Sequence, residues 1–102
     1  LKDIYPSGKI MLYKGVLTNE EGKSVSKWKP SFIYEHYEKV ESDKPYMFFK
    51  TNKEDAMAFV RYEKSKKPHV LYCVVNIEDI ESFSSTNVIA KKAFVLDKIY
   101  MD

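Results

Sequence analysis

Residues 45–76, PYMFFKTNKEDAMAFVRYEKSKKPHVLYCVVN, decide how this chain is read. Tyr46 to Lys50 form an aromatic run of strand character, and Thr51 stands three residues before Glu54 in the relation of a capping box. Ala56, Phe59, Val60 and Glu63 then fall on one helical face, broadened by Met57 and Ala58, until the lysines and Pro68 of 64–68 end the helix. The next segment, 69–76, has almost no polar face and is expected to be a central strand covered on both sides. A strand, a capped helix over 51–64 and a second strand therefore follow one another directly.

The flanking segments extend the same pattern. KIMLYKGVL at 9–17 is apolar and β-prone, begins after Pro6, Ser7 and Gly8, and stops at the turn-rich 18–22 segment. Trp28 is expected to cover an edge of the core, the commonest use of tryptophan. Over 31–40, Phe32, Ile33, His36, Tyr37 and Val40 recur at helical spacing behind a candidate cap, Ser31, although Phe32, Tyr34 and His36 also alternate as in a strand; helix is the favoured reading. A turn at Asp43, Lys44 and Pro45 leads into the aromatic strand. Ile77, Ile80 and Phe83 recur every third residue, which predicts a helical turn or a loop pinned by those side chains; 82–87 reads as loop and 93–100 as the last strand. The expected class is α+β: a mixed, largely antiparallel sheet of four to six strands with one or two packed helices.

With 102 residues, 44% of them hydrophobic, the chain suits a single domain spanning 1–102 with one core. It opens on Leu1 rather than methionine, so a missing N-terminal portion is allowed for. The 17 basic and 15 acidic residues leave a formal charge of +2 and are interspersed along the chain, with Arg61 the only arginine. Nucleic-acid binding through Lys64, Lys66, Lys67 and exposed tyrosines accordingly ranks third among the functions considered. The lone Cys73 lies in an apolar run and is read as a small core residue, in keeping with a reducing, cytoplasmic home. No apolar stretch is long enough to predict a membrane span.

Common catalytic and cofactor motifs are absent. Only Gly8, Gly15 and Gly22 are available, too few for a phosphate-cradling loop, and there is no HExxH, CxxC or GxSxG. No metal site is expected: His36 has no second histidine or cysteine at ligand spacing. The adjacent acids Glu54 and Asp55, and Glu78, Asp79 and Glu81, read as solvated faces.

The order of the elements carries more than any motif. A first strand reading Leu12-Tyr13-Lys14-Gly15, a strand from Tyr46 to Thr51 running into a helix that contains Ala56, then the 69–76 and 93–100 strands, resembles the ADP-ribosyltransferase-like superfamily. That resemblance implies NAD as cofactor. It places Lys14 and Gly15 at the first motif, where histidine or arginine followed by glycine holds the NAD ribose, and Thr51 at the middle motif. Tyr13 or Tyr46 would stack on nicotinamide. The late acid that supports an oxocarbenium-like transition state has no clear counterpart, since 90–102 carries only Asp97 and Asp102; Asp79 is the substitute. Lys14, Thr51 and Asp79 are thus the implied catalytic residues, and Tyr13, Gly15 and Tyr46 the implied cofactor contacts. The implied function is an ADP-ribosyltransferase-like domain acting on a macromolecule, or an inactive form that binds one. The alternative is a small non-enzymatic regulator that occupies a protein partner. A composition rich in lysine, tyrosine and asparagine with no glutamine points to an AT-rich bacterial or phage gene, where such host-directed regulators are common.

Overall fold

The computed structural model describes residues 8–44 and 46–100; Pro6, Ser7, Pro45 and Asp102, used in the sequence reading, lie outside them. Eight strands and one α-helix follow in the order β1 (Lys9–Thr18), β2 (Ser24–Val25), β3 (Lys39–Glu41), β4 (Met47–Lys50), α1 (Lys53–Val60), β5 (His69–Asn76), β6 (Ile80–Phe83), β7 (Asn87–Ala90) and β8 (Lys92–Tyr100). The sheet runs β3-β8-β5-β1-β4-β7-β6, with β2 hydrogen-bonded to β1. Every strand pairing among the described residues is antiparallel, so the sheet is larger and less mixed than expected. The extra strands have two to four residues each, too short for an alternating pattern to declare itself.

The long strands are where the alternation put them. β5 lies between β1 and β8 as a central strand, but it is fully covered on one face only: Leu71, Cys73 and Val75 are buried, whereas on the other face Val70 is buried and Tyr72, Val74 and Asn76 are half-buried. One face of the sheet, carrying Leu12, Val16, Phe49, Leu71, Val88 and Val95, encloses the main core. Burial pushes the Cys73 thiol up to about 12, so it stays protonated and serves as a core side chain. The opposite face is covered by α1, whose Val60 packs with Leu17 and Val25.

Four local expectations are corrected. The 31–40 segment is not a helix: Tyr34 N–H donates to the Ser24 carbonyl and Ser26 N–H to the Phe32 carbonyl, bonds that tie the segment to β2 instead of to itself. Tyr34 inserts into the core at 3% exposure, and Tyr37 has a left-handed backbone, φ 60°, which no helix accommodates. Trp28 is 75% exposed instead of covering the core; it meets Phe59 edge-on, with ring centroids 6.1 Å apart, and the Lys27 ammonium stands 5.0 Å from its ring. The helix cap is Asn52, not Thr51: Asn52 Oδ1 accepts from Asp55 N–H at 2.9 Å, worth about 1 kcal/mol. Thr51 is held by the sheet, its N–H on the Thr86 carbonyl and its hydroxyl on the Ser85 carbonyl. Finally, the helical turn expected at 77 is there, as a short 3₁₀ turn over Ile77–Asp79, but 80–83 joins the sheet as β6 and Phe83 is exposed instead of pinning the segment.

A buried polar pair closes one end of the core. His69, 2% exposed, has Nε2 2.7 Å from Ser24 Oγ and Nδ1 3.2 Å from the Lys67 carbonyl. The carbonyl can only accept, so Nδ1 carries the proton and Nε2 accepts from the serine hydroxyl. Burial lowers the His69 pKa, favouring this neutral form. A folded-state pKa below the unfolded value means the unfolded chain binds more protons, so stability is full above the unfolded pKa and falls as pH drops through it. We expect the wild type to lose up to roughly 1 kcal/mol per pH unit below about pH 6.5 relative to His69→Gln, read from urea midpoints. Parallel profiles for the two proteins would contradict this reading.

Candidate functional site

β1 and β4 are paired at one position, Tyr13 opposite Lys50, and then part. Where the ladder stops, the Lys14 side chain reaches across, and its Nζ donates to the Phe48 carbonyl at 2.6 Å. Lys14 is 6% exposed, and its pKa falls from 10.5 to about 8, chiefly through burial, with the nearby Lys50 charge adding to the effect. An ammonium group in this setting is costly unless it finds an anion. Among the described residues no carboxylate pairs with it.

Two further lysines converge on the same place. Lys27 Nζ donates to the Phe59 carbonyl at 2.8 Å, and Lys50 Nζ to Asn87 Oδ1 at 2.5 Å. The Nζ atoms of Lys14, Lys27 and Lys50 stand 6.0, 4.8 and 5.8 Å from the centroid of the Phe59 ring. The ring offsets part of the repulsion through cation–π attraction, worth about 1 kcal/mol per contact. None of the three forms an ion pair among the described residues. Beside this cluster lies a cleft of about 200 Å³ lined by Lys14, Trp28, Tyr34, Tyr46 and Phe48 among others. Of the three clustered lysines only Lys14 lines this cleft; Lys29 also lines it, no carboxylate does, and the exposed Trp28 and Phe48 rings stand at its mouth.

The six residues singled out in the sequence do not gather at one point. Lys14 and Tyr46 share the cleft just described. Tyr13 and Thr51 line a different, shallow recess with Glu54 and Tyr72 at the start of α1, where the Tyr13 and Tyr72 rings lie 5.1 Å apart. Adjacent residues on a strand face opposite ways, which separates Tyr13 from Lys14. Gly15 lies beneath α1: a Cβ there would stand 2.3 Å from the Ala56 carbonyl oxygen. Asp79 lines a third concavity with Lys9, Lys39 and Lys92. It follows the far end of β5, whereas Lys14 is opposite Leu71 near the beginning, so about 17 Å of strand separates the two regions.

Lys27, Lys50, Trp28 and Phe59 received no site role from the sequence. Lys50 stood in the quoted strand, but nothing local ties it to Lys14. Asn87, opposite Lys50 on β7, presents an amide, and β7 carries no carboxylate. Asp97 on β8 is exposed and accepts from the next residue's N–H. Among the described residues, no three His, Cys, Asp or Glu side chains group as a metal site, and no helix is long and apolar enough to cross a membrane. The chain matches no family model, no curated protein and no solved structure.

Proposed function

We propose that this is an ADP-ribosyltransferase-like domain that binds NAD, or the ADP-ribose part of it, at the parting of β1 and β4, and that it acts as a binding domain more than as a transferase. The observation that carries the reading is the convergence of Lys14, Lys27 and Lys50 on Phe59 without a counter-ion among the described residues. A dinucleotide brings a diphosphate for the ammonium groups and flat rings for Tyr46 and Trp28. The resemblance of the Tyr13-Lys14-Gly15 strand and the strand running into α1 supports the choice of NAD, because those two strands are neighbours. When bound, NAD would supply an activated ribose with nicotinamide as leaving group. This chain's own residues would bind and orient it, but no carboxylate lines the cleft to support positive charge developing on the ribose. At about 200 Å³ the cleft suits one ring of the dinucleotide, with the remainder outside it.

The test is a titration with NAD, ADP-ribose and nicotinamide, read by thermal shift and by fluorescence of Trp28, the only tryptophan. NAD and ADP-ribose are expected to raise the melting temperature progressively, by mass action, and to quench Trp28; nicotinamide alone is not. A flat response at millimolar NAD overturns the proposal. A second reading, a regulator that occupies a protein partner, is favoured by the exposure of Trp28 and Phe48 beside one cleft. Its signature would be a stoichiometric complex, formed without NAD, that disappears with Trp28→Ala.

A further inference from the structure

A second positive region lies away from the Phe59 cluster. Where β1 and β8 finish and β5 begins, a groove of about 1220 Å³ is lined by Arg61, Lys64, Lys67 and Lys98, and no carboxylate lines it. None of these four cations forms an ion pair among the described residues. The interspersed charges of the sequence are thus sorted in space: Arg61, Lys64 and Lys67 come from the end of α1 and the connection after it, and Lys98 joins them through the pairing of β8 with β5.

Two tyrosines give the groove a second chemistry. Tyr62 is 87% exposed and Tyr100 73% exposed, and both line it. Tyr100 is placed by its register opposite His69, with the two rings 5.8 Å apart, so the tyrosine ring is supported on one side and open on another. Open aromatic faces beside unpaired cations match unstacked bases on a phosphate chain. A duplex keeps its base faces stacked and would leave the tyrosines unused. An acidic peptide would use the cations alone.

We infer that this groove binds single-stranded nucleic acid, with Arg61, Lys64, Lys67 and Lys98 on phosphates and Tyr62 and Tyr100 stacked on bases. The site is independent of the NAD proposal and shares no residue with that cleft.

The experiment is fluorescence anisotropy of the whole chain with labelled oligothymidylate and oligouridylate of roughly 12 nucleotides, within the span of a small single-strand site. Four neutralised phosphates give a roughly 50-fold loss of affinity between about 50 and about 200 mM salt. The double variant Lys64→Ala/Lys67→Ala should reduce that loss to roughly sevenfold. Tyr62→Ala/Tyr100→Ala should weaken binding roughly 30-fold or more at every salt concentration and leave the salt slope unchanged. The four substituted side chains are exposed, and an unchanged melting temperature verifies that each variant is folded. Saturable binding of either probe that responds to both double variants as stated supports the inference. The inference is overturned by absence of saturable binding at about 50 mM salt, by wild-type affinity in the tyrosine variant, or by inorganic polyphosphate competing as well as the oligonucleotide.

Discussion

Gly15→Ala is expected to destabilise the protein by about 3 kcal/mol, at the upper end of the range for overpacked cores. A Cβ at this position would lie 2.3 Å from the Ala56 carbonyl oxygen and 3.2 Å from both Val60 methyl carbons. The nearest atom is backbone, so no rotamer change relieves it; α1 must lift from β1 or β1 must bend. Ala56 and Val60 are fully buried on the inner face of α1, and lifting the helix would expose them together with Leu17 and Val25. Against a total stability of roughly 5–15 kcal/mol this is a large fraction, equivalent to a fall of about 12–24 °C in melting temperature for a domain of this size. Urea unfolding should show a lower midpoint at unchanged slope. Val60→Ala added to Gly15→Ala should not restore stability, because it removes only the lesser clash. A loss well under about 1 kcal/mol would mean that α1 is free to move and that the close approach is not a requirement of the fold. If Gly15→Ala kept full stability and lost only NAD binding, the glycine would belong to the ligand site, as the resemblance implies.

Lys14→Met is expected to make the protein more stable and to weaken NAD binding at least tenfold. The fall in the Lys14 pKa from 10.5 to about 8 corresponds to about 3 kcal/mol of strain on the charged form at neutral pH. Methionine fills similar space without a charge but leaves the Phe48 carbonyl without its donor, a loss of about 1 kcal/mol, so the net gain is about 2 kcal/mol. The sign with pH follows from the depressed pKa. Between pH 8 and 10.5 the unfolded chain holds a proton that the folded chain has released, so wild-type stability rises with pH through this window and the advantage of the variant shrinks. Cys73 works the other way: its raised pKa contributes stability that is complete below about 9 and lost as pH climbs toward about 12. Lys14 and Cys73 act on each other, so the wild-type minus Lys14→Met difference is read no higher than pH 9, where the buried thiol of the folded protein is still protonated. Denaturant midpoints at pH 7 and pH 9, with an NAD titration at pH 7, check both halves. A variant less stable than the wild type at pH 7 would show that the lysine's bond to Phe48 outweighs its desolvation, and unchanged NAD affinity would remove Lys14 from the site.

Together these outcomes separate two adjacent residues that the sequence pattern joins. Lys14 and Gly15 look like one motif, yet one faces the core side of the sheet and the other the helix. On the structure, the glycine has a sufficient packing role. The lysine has a partial one, since a single carbonyl does not compensate a buried ammonium.

How much was legible depended on the length of the element and on where its partners came from. β1, β5 and β8 each run eight to ten residues, enough for apolar runs and alternation to stand out, and α1 was visible from its stripe around Ala56 and Val60. Thr51 and Asn52 are both acceptable caps by composition; the cap went to Asn52 because the connection between β6 and β7 holds Thr51 through Ser85 and Thr86. The 31–40 segment satisfied helical spacing, but Tyr34 bonds to Ser24 and fills the core, an outcome that depends on β2 being there to bond with. The candidate site shows the same division. Lys14 was noticed because a glycine follows it, whereas Lys27 and Lys50 join it only because β4 lies beside β1 and α1 carries Phe59 across them.

By itself the sequence determined the strand, helix and strand of 45–76, the two other long strands and the α+β class, because these rest on periodicity and on interactions within a few residues. Tertiary structure alone decided that three lysines meet at Phe59, that Asp79 stands remote from them, and that Arg61, Lys64 and Lys67 share a groove with Lys98 and Tyr100. Those juxtapositions depend on strand order and register, which are set by burial of the whole core. A charged side chain is carried to its place by that core and contributes little to choosing it.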